Sequence, residues 1–166
     1  LDAIAATAPD RVLVVAGDGK WHLYDANTWA HLEVLKSIVG DAEPQWHPTD
    51  PNLLYFLPTN GIGLKLFELN IRYGLVRTVA DFGDRLRARW PRANTAWTRS
   101  EGSPSVDGRY WCFQVDDADW QGVGVFTWDL SQDRIIAMRD QPGDRPDHVS
   151  MSPSGNYCVV SNYGGP

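Results

Sequence analysis

The sequence predicts an all-β chain made of repeated four-stranded antiparallel units, and three observations predict it. The first is Asp147–Asn162, D-H-V-S-M-S-P-S-G-N-Y-C-V-V-S-N, a short alternating strand, a Ser-Pro-Ser-Gly turn and a second apolar strand. The second is its recurrence upstream: E-G-S-P-S-V-D-G-R-Y-W-C-F-Q-V over Glu101–Val115 and, more loosely, E-P-Q-W-H-P-T-D-P-N-L-L-Y-F-L over Glu43–Leu57. The third is spacing. Aligning the turns puts Glu43, Glu101 and His148 at one repeat position. Repeats of roughly 40–50 residues that open strand–turn–strand are β-propeller blades. The expectation is a β-propeller segment of about three four-stranded blades, part of a larger propeller, because 166 residues are too few for a closed ring at this repeat length.

In chain order, Arg11–Ala16 is an apolar strand ending in the hairpin signal Gly17-Asp18-Gly19. Trp21–Tyr24 and His31–Leu35 follow as strands around the turn Asp25-Ala26-Asn27-Thr28. Residues 1–41 are therefore the outer strands of an incomplete blade. Residues 42–81 form a blade with strands near 43–47, 53–57, 63–69 and 74–80. Its first turn is the P-T-D-P-N of Pro48–Asn52, and Gly63–Leu69 alternates as a half-buried strand should. Residues 82–100 form an insertion in which Asp84 is placed to cap one or two helical turns ending at Pro91. Residues 101–146 form the next blade, with strands near 101–105, 109–115, 122–129 and 133–138, and 147–166 start a further one.

Composition narrows the function. A net charge of −6 argues against nucleic acid as a partner. No apolar run approaches the ~20 residues of a membrane span, and Leu1–Pro9 is too short, and lacks the basic start, for an intact signal peptide. Eight Trp, six Tyr and five Phe suit half-buried strand surfaces and sugar-stacking platforms alike. Cys112 and Cys158 follow their turn glycines by four and three residues. That one-residue offset points them to opposite faces, so the reading is two small buried apolar side chains and no disulfide.

The S-x-x-G-x-Y repeat at Ser105–Tyr110 and Ser152–Tyr157, with a looser copy at His47–Tyr55, resembles the TolB-type, WD-repeat-like β-propellers. The resemblance covers Glu43 to the end, the first forty residues fitting by strand count. Within these propellers the chain is distantly similar to oligogalacturonate lyases, which hold a divalent metal above the channel through several His and a Gln. Of that set this chain has His148 at the matching position, with Glu43 and Glu101 at the others. The resemblance also implies a periplasmic or extracellular location.

Blade register places Glu43, Glu101 and His148 on one ring at the channel mouth, where they could hold Mn or Ca or serve as acid and base; the bland reading is polar lining. The insertion carries Arg85, Arg87, Arg89, Arg92 and Arg99 with Trp90 and Trp97. Its guanidinium groups suit carboxylates or sulfates and its indoles suit sugar faces, which together describe an acidic oligosaccharide. The bland reading pairs those arginines with the protein's own acids or with a neighbouring subunit. The function expected is an anionic ligand at the mouth, with or without a metal-assisted lyase or hydrolase step. The alternative is a non-catalytic scaffold for protein–protein interaction, which needs only a broad exposed aromatic or charged face. Asp116, Asp117 and Asp119 read as a solvated turn, and His22, His31 and His47 as structural. Ser103 and Ser105 lack a nucleophile elbow, and the chain has no P-loop or dinucleotide fingerprint.

Overall fold

The computed structural model describes residues 10–35, 42–58, 64–97, 104–140 and 145–163. Thirteen strands, one α-helix and a 3-10 turn at Leu130–Gln132 are seen among them: β1 (Arg11–Val15), β2 (Trp21–Asp25), β3 (His31–Leu35), β4 (Ala42–Trp46), β5 (Leu53–Pro58), β6 (Lys65–Asn70), β7 (Leu75–Asp81), α1 (Gly83–Arg89), β8 (Thr95–Trp97), β9 (Tyr110–Asp116), β10 (Gly122–Asp129), β11 (Arg134–Asp140), β12 (Arg145–Met151) and β13 (Cys158–Tyr163). They form four antiparallel sheets in chain order, β1-β2-β3, β4-β5-β6-β7, β8-β9-β10-β11 and β12-β13, called blades one to four below. This is the expected propeller segment.

Period-2 alternation holds the stack together. In β5, Leu54 and Phe56 face blade one and pack with Trp21, Leu23 and Leu35. Their neighbours Tyr55 and Leu57 face blade three and join Trp111, Phe113 and Phe126. In β9 the even residue Cys112 turns instead toward blade four, with Val149 and Met151. Each middle blade thus buries both faces, one against each neighbour, which is why β5 and the first four residues of β9 read as continuous apolar runs.

The repeated motif builds one kind of turn. Ser105 and Ser152 donate their N–H to the carbonyls of Tyr110 and Tyr157. Their hydroxyls accept the N–H of the same tyrosines, at 2.9 and 3.0 Å. Gly108 and Gly155 sit at φ 72° and 75°, a conformation that glycine adopts without a Cβ clash. In blade two the ring of His47 replaces the serine: its Nδ1 accepts from the N–H of Thr49 and Asp50 at 3.2 and 3.0 Å. His47 is structural, as read from sequence.

Three details depart from the sequence reading. Blade three opens on β8, Thr95–Trp97, inside the stretch assigned to the insertion, where Thr95 pairs with Asp116 and Trp97 with Gln114. Of the strand expected at 101–105, residues 101–103 lie outside the described residues, and Ser105 opens the turn. The helix is present, but Asp84 does not cap it. Phe82 occupies the N-cap without a side-chain bond, and Asp81 accepts the Gly83 N–H at 3.0 Å. Finally, Cys112 and Cys158 form a disulfide, with Cα atoms 5.9 Å apart. Their opposite-face offset is what a bond between blades requires, because stacked sheets present opposite faces to one another.

Candidate functional site

Of the three positions expected to share a ring, two lie among the described residues. Glu43 lies in β4 opposite Leu57, and His148 lies in β12 opposite Ser161, whose hydroxyl accepts the His148 N–H at 3.2 Å. Each stands four residues before a turn-opening residue, His47 or Ser152, so the shared register is kept. Glu101 lies outside the described residues. Among the described residues no group of three His, Cys, Asp or Glu is placed to hold a metal.

The arginine segment lies along the outer edge of blade three. Arg85 donates to the Asp133 carbonyl at 2.8 Å and pairs with its carboxylate, at the start of β11. Arg89 grips Asp140 at the far end of the same strand, at 2.6 Å. The Trp90 indole N–H also donates to Asp140, at 2.8 Å. These bonds, Trp90's first and Arg89's after it, hold the Asp140 carboxyl below its usual range. Arg92 pairs with the buried Asp117 at 2.9 Å. Arg87 folds back over Gly83, toward Asp81. Trp90 is buried in the core against Gly124, not spread on the surface as a sugar platform would be. Trp97 is placed by its backbone in β8, and Arg99 lies outside the described residues. The acidic loop is likewise not solvated, since Asp116 and Asp117 are buried and Asp117 accepts the N–H groups of Asp119 and Gln121.

The opposite end of the strands has a different character. Its turns are linked by backbone bonds, Ala26 N–H to Asp10 in blade one, Ile71 to Asn52 in blade two and Leu130 to Arg109 in blade three. Val106 N–H to Pro153 joins blade three to blade four. This turn face exposes Trp29, Tyr73, Leu75, Val106 and Tyr157, all 64–70% exposed and together drawn from all four blades.

The turns that carry two of these residues have a common design. Asp25, Asn70 and Asp129 end the third strand, or its equivalent, of their blades, and each side chain accepts N–H groups two and three residues on. Arg109 first, then Ser131, hold the Asp129 carboxyl down at about 2. The fifth residue of each turn is left-handed: Gly74 at φ 64°, Asp133 at φ 44° and Trp29 at φ 58°. Glycine is at ease there and aspartate is tolerated, while tryptophan carries a cost of roughly 1–2 kcal/mol. The sequence reading missed these surface residues. The available signal was a bulky apolar residue inside an Asp- or Asn-led turn, as in D-A-N-T-W and N-I-R-Y-G.

Four stacked antiparallel sheets with period-2 interfaces define a β-propeller segment. No family profile matches the chain, and no curated protein matches it. The solved structures that match include TolB from Acinetobacter baumannii, with a TM-score of 0.60 at 14% identity over 90% of this chain and 34% of that one. The chain thus spans about a third of that protein's length. The likeness establishes a TolB-like fold.

Proposed function

We propose that this propeller segment is a non-catalytic binding module that docks a protein partner on its turn face. The observation that carries the reading is the set of exposed apolar side chains on that face, Trp29, Tyr73, Leu75, Val106 and Tyr157. Such patches mark interaction sites on soluble proteins, and aromatic residues supply most hot spots. Trp29 adds weight, because it holds a position suited to glycine at a cost to the fold. The acidic-glycan reading loses its main support, since Arg85, Arg89 and Arg92 are engaged by Asp133, Asp140 and Asp117. The Cys112–Cys158 disulfide supports work in an oxidising, extracytoplasmic compartment. Among the described residues no helix is long and apolar enough to cross a membrane.

Photo-crosslinking tests the reading. A benzophenone side chain placed at Trp29, Tyr73 or Tyr157 should capture one discrete partner in cells that express the protein. The same group at Arg87 or Ala118, away from the turn face, should not. Capture from the control positions alone would sink the proposal.

A further inference from the structure

Within the turn face, a cleft of about 280 Å³ opens between the start of β1 and the first turn of blade two. Arg11 forms one wall, and Trp46, His47, Pro48, Thr49 and Pro51 form the other. Its origin is a substitution in the repeat. Arg11 pairs with Asp25 as Tyr110 pairs with Asp129, so the two residues are equivalent. In blade three the Tyr110 ring plugs the junction with the next blade, pressed on Gly155 so closely that a Cβ there would enter the ring. In blade one a guanidinium replaces the ring, and the junction stays open.

Among the described residues the Arg11 side chain has no ion-pair or hydrogen-bond partner. Its cross-strand neighbour Asp25 is already satisfied by Thr28 and Asn27, which hold its carboxyl below the usual range. The arginine of blade three, Arg109, is by contrast locked on Asp129 at 2.9 Å. A half-buried arginine without a partner, beside an indole and two prolines, is a ready counter-ion for an oxyanion on a partly apolar ligand. The charge state of the cleft narrows the ligand. Asp10 also lines it and offsets the single cation, and the whole chain carries −6, so a dianionic phosphate is disfavoured against a single carboxylate. The surroundings narrow it further. Ala26 donates to the carbonyl of Asp10, a lining residue, which ties the turn that bears Trp29 to the cleft's edge.

We propose that the cleft takes the carboxylate of an Asp or Glu side chain, flanked by apolar residues, in the partner segment that crosses the turn face. Arg11 is its counter-ion, Thr49 adds a hydroxyl, and Trp46, Pro48 and Pro51 pack the ligand's methylenes. The inference rests on the docking reading above and assigns the chemistry that the partner presents.

The test is a ¹⁵N NMR titration of the whole chain with three probes: acetyl-Leu-Glu-Leu-amide, its Gln counterpart and inorganic phosphate. The Glu peptide should shift the Arg11 side-chain N–H, the Trp46 indole N–H and the Thr49 amide along a saturable curve. The Gln peptide should bind at least about tenfold more weakly, and phosphate should not compete. Arg11→Gln should abolish the response while leaving a dispersed spectrum, and Arg11→Lys should keep part of it. Equal binding of the Glu and Gln peptides, an unaltered response in Arg11→Gln, shifts confined to other residues, or no saturable shift at all would each overturn the proposal. Crosslinks from Trp29 that persist in Arg11→Gln would then show that docking stands and only the carboxylate pocket has failed.

Discussion

Replacing Trp29 by alanine and, separately, by glycine isolates the backbone cost that the exposed indole imposes. Both variants lose the same side-chain contacts, so their difference reports the conformation at φ 58°. At an ordinary turn position alanine would be the more stable by about 0.4–1 kcal/mol, because glycine has more unfolded-state entropy to lose. At a left-handed position the Cβ clash reverses the order. A penalty of roughly 1–2 kcal/mol less that entropy leaves glycine ahead by about 0.5–1 kcal/mol. Gly74, at the same position of blade two with φ 64°, shows that the turn accepts glycine without rearrangement. Urea denaturation at constant slope reads the difference as a shift of midpoint. Both variants should also bind the partner more weakly than wild type. An alanine variant as stable as the glycine variant would refute the strain argument, and undiminished binding by both would remove Trp29 from the interface.

The other predictions concern packing, the disulfide and acid. Gly124→Ala should cost roughly 1–3 kcal/mol, because a methyl there would enter the Trp90 ring; an unchanged thermal midpoint would contradict that packing. Cys158→Ser opens a loop of sequence separation 46 and should destabilise the chain by roughly 2–4 kcal/mol; wild type under reducing conditions should lose a similar amount, and the variant should not respond to reductant. Asp129 has a folded pKa of about 2 against an ordinary 3.8, so its contribution is present above pH 4 and lost as pH falls from there toward 2. Asp129→Asn should therefore flatten the acid limb of the stability curve, and an unchanged limb would show that Arg109 and Ser131 do not hold this carboxylate.

Much of the fold was legible because the repeat is written in short-range chemistry. Ser105 and Ser152 close their turns with their own hydroxyls, and Gly108 and Gly155 take the left-handed conformation. Strand positions follow from such turns, and most came out within two residues. The opening of blade three did not. Thr95–Trp97 is three residues long and follows a helix, so neither length nor alternation marked it. The site was far less legible. Arginines such as Arg85 and Arg89 look like anion ligands in one dimension. Asp133 and Asp140, which engage them, lie some fifty residues away along the chain and come close only when α1 settles along β11. Trp90 was ambiguous for the same reason, since nothing local marks Gly124 as the floor beneath it.

The disulfide shows how a correct local inference can carry the wrong global conclusion. Alternation does place Cys112 and Cys158 on opposite faces of their own sheets, as their offset from the turn implies. Within one sheet that would keep them apart. The two sheets are successive blades, however, and the face that blade three turns to blade four meets the opposite face of blade four. Val149, Met151 and Val160 gather around Cys112 and Cys158 at that junction. Within the strands, side chains at equivalent positions of neighbouring blades point the same way and do not face one another, whereas those one residue out of step do. The same rule explains why Tyr55 of blade two reaches Trp111 of blade three, with ring centroids 5.2 Å apart. Tyr55 is eight residues past its turn-opening residue His47, and Trp111 is six past Ser105. That difference would look like a shared face, but the P-T-D-P-N turn holds one residue more than the Ser-led turn. Counted from the first residue after each turn, Tyr55 is the third of β5 and Trp111 the second of β9. The parity again differs by one, as contact between consecutive blades demands.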